Sequence, residues 1–228
     1  MNKDFIPGTG YFIYQDDENF KYTTDSLILS SFSRVRGRCV DLGSGNGLLA
    51  LRLIDRKGVD SFINVEVNKD SYVHSQLSIK ENGLSQKIRG LNIDVKNIKE
   101  YIDHQSMDSV IMNPPYFSNS LINEKESITQ ARHSESLEDF IIAAAHILKN
   151  SGRLYMVITV SKLVDVFYML RKRKIEVKRI RFVKKDFNSK AKVVLIEGIK
   201  QGRPNLIVER DFITKSDELI KVYENEEI

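Results

Sequence analysis

From Arg38 onward the chain alternates short β-branched runs with segments of helical period, and no other feature restricts its fold so strongly. "RCVDL" precedes the helical "GLLALRLIDRK", "SFINVEV" precedes "KDSYVHSQLSIKENG", and "KIRGLNI" precedes a short helix from Val95 to Tyr101. "MDSVIM" leads through a long loop to the helix "SLEDFIIAAAHILKN", and "GRLYMVITV" leads to "SKLVDVFYMLRKRK". A strand followed by a helix returns as a parallel neighbour, because the helix is the crossover. The last two strands, "IEVKRIRFVKK" and "KAKVVLIEGIK", are joined only by "DFNS" and therefore form a hairpin. The expectation is an α/β fold: a mostly parallel seven-stranded sheet, helices on both faces, and an antiparallel hairpin at one edge.

Ahead of this series, "YFIYQDDENFKYTTDSLILSSF" reads as two short aromatic strands around the polar turn "DDEN", then a helix starting near Thr24. Residues 1–35 are thus expected as a hairpin and helix packed on a core of residues 36–228, within one domain. A chain of 228 residues can bury a sizeable core, and 41% hydrophobic with 29% charged residues is ordinary for a soluble protein. The start, "MNKDFIPGTG", lacks the apolar run of a signal peptide, and no later run approaches a membrane span. A cytoplasmic location without a membrane partner is expected. The lone Cys39 excludes an internal disulfide. His74, His104, His133 and His146 show no metal-ligand spacing, so no metal is expected.

Open parallel sheets bind ligands beyond the carboxyl ends of their strands. The first such end is "VDLGSGNGLLAL", where Asp41 is followed by Gly43, Gly45 and Gly47. These glycines permit a sharp turn and close approach to a ligand, and the next helix offers free N–H groups to an anion. Leu48 stands where a dinucleotide fingerprint needs a small residue, and no P-loop lysine follows. Glu66 ends the second strand, Asp94 follows the third, and Asn113 ends the fourth. Pro114 and Pro115 then make a rigid, extended turn. That turn presents the Asn113 amide, a Pro114 carbonyl with no neighbouring N–H, and the aromatic face of Tyr116, a set suited to a planar group carrying an amino nitrogen. Taken alone, "NPP" reads rather as an ordinary Pro-rich loop.

Together these strand ends resemble the class I S-adenosylmethionine-dependent methyltransferases, whose motif I is the acidic-x-Gly-x-Gly-x-Gly pattern seen from Asp41 to Gly47. The resemblance implies a Rossmann-like fold and S-adenosylmethionine as cofactor. It implies that Glu66 holds the ribose hydroxyls, Asp94 contacts adenine, and Asn113 meets the methyl acceptor. "NPPY" further resembles motif IV of the amino-methyltransferases, which implies Asn113, Pro114, Pro115 and Tyr116 as the catalytic set. There the Asn113 Oδ1 and the Pro114 carbonyl would accept hydrogen bonds from an NH₂ group, while Tyr116 stacks on the base.

"FKYTTDSLILSSF", "NPPYF" and "ARHSE" together are similar to the bacterial family that methylates N6 of adenine 37 in valine tRNA. This implies that Thr24 and Asp25 lie near the methionine end of the cofactor, though Thr24 also reads as a helix N-cap. The similarity weakens after Gly202. A release-factor glutamine methyltransferase usually carries a helical domain before motif I, where only about forty residues stand here. A DNA adenine methyltransferase needs a target-recognition domain. A guanine-N2 ribosomal RNA methyltransferase remains the nearest enzymatic alternative, and an inactive RNA-binding partner the non-enzymatic one. The stretch from Arg171 to Lys192 is strongly basic and suits a phosphate-bearing partner. Arg171, Lys172, Arg173 and Lys174, with Arg132 and His133 after the NPPY turn, are the candidate contacts to a tRNA whose anticodon loop presents the adenine.

Overall fold

The computed structural model describes residues 2–15, 23–114 and 137–228. The alternating series builds one sheet in which β3 (Gly37–Leu42), β4 (Val59–Val65), β5 (Ile88–Leu91), β6 (Met107–Met112) and β7 (Leu148–Thr159) run parallel. β9 (Val193–Lys200) lies antiparallel between β7 and β8 (Ile175–Lys184). Among the described residues the expected seven strands are nine, because β10 (Ile207–Val208) and β11 (Phe212–Ile213) add alongside the outer edge of β8. These two-residue strands come from the tail after Gly202, where no alternating pattern announced them.

Strand side chains point alternately to opposite faces, so each strand feeds two cores. Cys39, Phe62 and Ile111 pack with α1 (Thr24–Phe32), α2 (Leu48–Leu53) and Ile79 of α3 (Lys69–Glu81). Val40, Val65, Val110 and Met112 pack with α4 (Leu137–Ile147), α5 (Leu163–Lys172), and Val95 and Ile98 of the short helix after β5. Helix α4 ends at Ile147, three residues earlier than its apolar run suggested, because Leu148 already pairs with Met107 of β6.

The amino terminus adds a strand that the sequence pattern did not announce. β2 (Phe12–Gln15) pairs antiparallel with β1 (Asn2–Phe5) across the turn "IPGTGY". Residues 16–22, including the second expected strand, lie outside the described residues.

The tail closes the α1 face. Arg52 is 2% exposed, and its guanidinium donates to Ser30 Oγ at 2.7 Å, the Pro7 carbonyl at 2.6 Å and the Val222 carbonyl at 2.6 Å. One side chain thus joins α1, the amino terminus and α6 (Glu218–Tyr223). Two arginines of the basic stretch are also buried. Arg179 donates to Glu197 at 2.8 Å, Glu209 at 3.2 Å and the Phe32 carbonyl at 2.7 Å, and Arg181 holds both Glu218 oxygens at 2.7 Å. These charges hold the tail and are withheld from any partner.

Candidate functional site

Four strand ends converge at the carboxyl edge of the sheet. After β3 the loop turns through Gly43, Gly45 and Gly47, all at positive φ. The Gly43 and Ser44 N–H groups donate to the Val65 carbonyl at 2.9 and 3.0 Å, which ties the loop to the end of β4. Glu66 follows directly. Its Oε2 accepts from the Gly45 N–H at 2.7 Å and its Oε1 from the Asn68 N–H at 2.8 Å. Burial pushes this carboxyl above its ordinary range, and the Asn68 and Gly45 N–H groups work against that rise.

Asp41 lies within β3 and is fully buried, and neither carboxyl oxygen has a hydrogen-bond partner among the described residues. Burial first, and then the charge of Glu66, push it well above the usual carboxylate range. An uncompensated carboxyl in a core is costly.

Asp94 accepts from the Lys96 N–H at 2.8 Å and caps the short helix after β5. Asn113 follows β6, with its Nδ2 donating to Ser26 Oγ at 2.8 Å. Its Oδ1 is buried and has no partner among the described residues. Pro114 is buried beside it. Helix α1 therefore anchors the amide nitrogen and, among the described residues, leaves the acceptor oxygen without a partner. Thr24 is exposed in the first turn of α1 and Asp25 is half-buried next to it; the cap is Thr23, whose side chain accepts from the Ser26 N–H at 3.4 Å.

The structure thus brings Asp41, Gly43, Gly45, Gly47, Glu66, Asp94 and Asn113 to one edge, with Thr24 and Asp25 on the helix that carries Ser26. Pro115, Tyr116, Arg132 and His133 lie outside the described residues. Arg171, Lys172, Arg173 and Lys174 sit at the other edge. Gln201 N–H donates to the Lys174 carbonyl at 2.7 Å, and Lys200 Nζ reaches the carbonyls of Arg173 and Ala145 at the end of α4. Six residues of β6 separate that edge from Asn113, about 20 Å of strand. Arg171 moreover pairs with Glu176 at 3.0 Å and Arg173 with Glu138 at 3.7 Å.

Sequence reasoning missed the supports. Ser26 orients Asn113, Phe140 lies under Gly43, and Asn64 with Ser75 lies against Gly47. Asn64 carried a usable signal: a lone amide in the otherwise apolar run "FINV" needs a buried partner, and its Nδ2 donates to Ser75 Oγ at 3.2 Å. Ser26 carried none, since one serine in α1 resembles Ser30 and Ser31.

With this geometry in hand, comparison with known proteins is informative. The family model described as "Methyltransferase small domain" matches residues 21–173. A tRNA1(Val) (adenine(37)-N6)-methyltransferase of Tolumonas auensis is 31% identical over 182 residues, covering 74% of this chain and 75% of the relative. Its counterpart in Mannheimia succiniciproducens is 28% identical over 154 residues, covering 65% of this chain and 62% of that one. Among solved structures, a "predicted O-methyltransferase" of Agrobacterium tumefaciens superimposes with a TM-score of 0.72 at 18% identity, covering 89% of this chain and 97% of that one. At that identity the superposition speaks for the shared fold alone.

Proposed function

We propose that this chain, which belongs to the methyltransferase small domain family, methylates the exocyclic N6 of an adenine in RNA, namely adenine 37 of valine tRNA. The relatives' names supply the substrate. The observation that carries the chemistry is the buried, unpartnered Oδ1 of Asn113, with its amide nitrogen held by Ser26.

S-adenosylmethionine is the cofactor, and when bound it supplies an electrophilic methyl group on a cationic sulfur. The residues fit it. A Cβ built on Gly45 would meet nothing within 4 Å, so there is open space in front of the loop. Glu66 stands beside that space as an acceptor for ribose hydroxyls, at present satisfied by the Gly45 and Asn68 N–H groups. Asp41 offers an uncompensated carboxyl on the same side, Gly43 and Gly47 shape the turn, Asp94 borders the adenine end, and Thr24 and Asp25 border the methionine end.

An adenine N6 is a weak nucleophile because its lone pair is delocalised into the ring. The Asn113 Oδ1 and the Pro114 carbonyl accept its two N–H bonds, which fixes the amino group and stabilises the positive charge that grows on nitrogen. Ser26 keeps the amide from rotating its donor toward the substrate. Pro115 and Tyr116 complete the set in this reading, Tyr116 by stacking on the base. Residues 1–35 and 36–228 act together as one unit in the cytoplasm, where tRNA is available.

The test is transfer of labelled methyl groups to unmodified total RNA, followed by nucleoside identification. N6-methyladenosine in an anticodon stem-loop is the expected product. N2-methylguanosine would replace this reading with the ribosomal RNA alternative, and label on protein glutamine would replace it with the release-factor one.

A further inference from the structure

The antiparallel hairpin at the sheet edge ends in a basic and aromatic tip on the same edge as Asn113. β8 runs parallel to β7, so its end, Lys184, and the turn that follows lie at the carboxyl edge. Val160, just past β7, donates its N–H to the Lys192 carbonyl at 3.0 Å, and Lys215 donates its N–H to the Lys185 carbonyl at 3.1 Å. Around the tip stand the exposed Lys162, Lys185, Lys190, Lys192 and Lys215. At its apex Phe187 is 84% exposed.

Two nearby carboxylates have other duties, apart from an electrostatic interaction of Asp186 with Lys215. Asp186 Oδ1 accepts from the Asn188 N–H at 3.2 Å and from Ser189 Oγ at 2.7 Å, so it shapes the turn, while Asp211 pairs with Lys184 at 2.5 Å. The half-buried aromatic group of the amino-terminal strands is unlike this one. Tyr11 and Tyr14 donate to Asp55 and Glu81, and Phe12 lies by Asn82 at the far end of α3. An apolar ring held in water among lysines is an arrangement that serves base stacking beside phosphate contacts. From Asn113 to the hairpin is two to three strand spacings, about 10–15 Å, a distance that a few unpaired nucleotides span.

We infer that the β8–β9 hairpin tip is a docking site for the single-stranded RNA that flanks the target adenine, with Phe187 stacking on a neighbouring base and Lys185, Lys190 and Lys192 contacting phosphates. This rests on the RNA reading above and replaces Arg171 to Lys174 as the contact surface.

The experiment measures binding of an unmodified anticodon stem-loop by fluorescence anisotropy at several salt concentrations, together with S-adenosylmethionine affinity and methyl transfer. Phe187→Ala is expected to weaken RNA binding between about fivefold and a hundredfold. K185A/K190A/K192A is expected to flatten the slope of log affinity against log salt by about 2, at roughly 0.7 per single-strand contact. Cofactor affinity stays unchanged in both, which also shows that they are folded. Wild-type affinity and slope in both variants overturn the inference while leaving the methylation reading intact. If the wild-type enzyme binds the stem-loop through this tip but modifies no adenine, the docking site stands and the methylation reading falls.

Discussion

Adding one methyl group to Gly47 or to Gly45 separates the structural from the ligand-facing side of the glycine loop. Gly47 has φ +87°, and a Cβ there would sit 2.6 Å from Ser75 Oγ and 2.9 Å from Asn64 Nδ2. Both neighbours are 1% exposed and are bonded to each other, so neither can swing into solvent. Left-handed backbone costs an alanine roughly 1–2 kcal/mol, and loss of the Asn64–Ser75 hydrogen bond adds about 1 kcal/mol. Gly47→Ala should therefore destabilise the protein by about 2–3 kcal/mol, a fall in Tm of roughly 5–10 °C for a chain of this size. Gly45 has φ +52°, and its added Cβ would meet nothing. Gly45→Ala should cost only about 1–2 kcal/mol of backbone strain, yet it fills space that the cofactor needs. Overpacking by one methyl, about 1–3 kcal/mol, would weaken S-adenosylmethionine binding by roughly 5- to 150-fold. Thermal unfolding without cofactor and calorimetric titration at a temperature where both variants are folded measure the two effects. Wild-type cofactor affinity in Gly45→Ala would refute the placement of the cofactor over the loop.

Asn113→Ala should lower single-turnover methyl transfer at least about a hundredfold, and Ser26→Ala by roughly five- to tenfold, since it removes only the anchoring hydrogen bond; equal rates for Ser26→Ala and wild type would mean that the amide is oriented by something else. The elevated carboxyl of Asp41 gives a pH signature: between the unfolded value of about 3.9 and its raised folded value, the folded state holds the extra proton, so its stability falls as pH rises through that window. Asp41→Asn lacks this loss and should be more stable than wild type near neutral pH by about 1–3 kcal/mol, with the gap closing toward pH 4; a gap in urea unfolding that does not change with pH would contradict it. Arg52→Met leaves Ser30 Oγ and the Pro7 and Val222 carbonyls without their donor and should cost roughly 2–4 kcal/mol in urea unfolding.

Residue order alone carried the alternation of strand and helix, because periodicity is a local property set by burial on one face or two. It also carried the strand-end positions of Asp41, Glu66, Asp94 and Asn113, since a motif at the end of an apolar run inherits the direction of its strand. Three matters lay beyond it. β2 pairs with β1, which no local pattern announced, because strand pairing is a choice among distant segments that look alike locally. Ser26 meets Asn113 across 87 positions, and Arg52 meets Val222 across 170, contacts that exist only once the sheet has brought α1 and the tail together. The basic stretch is the clearest case. Its charges read as one patch along the chain, but β8 carries them from one edge of the sheet to the other: Arg171 to Lys174 lie at the amino edge, Arg179 and Arg181 are buried against Glu197 and Glu218, and Lys184, paired with Asp211, and the lysines of the turn reach the edge that holds Asn113. Charge is written in the sequence; where it points is set by the direction and register of the strand that bears it.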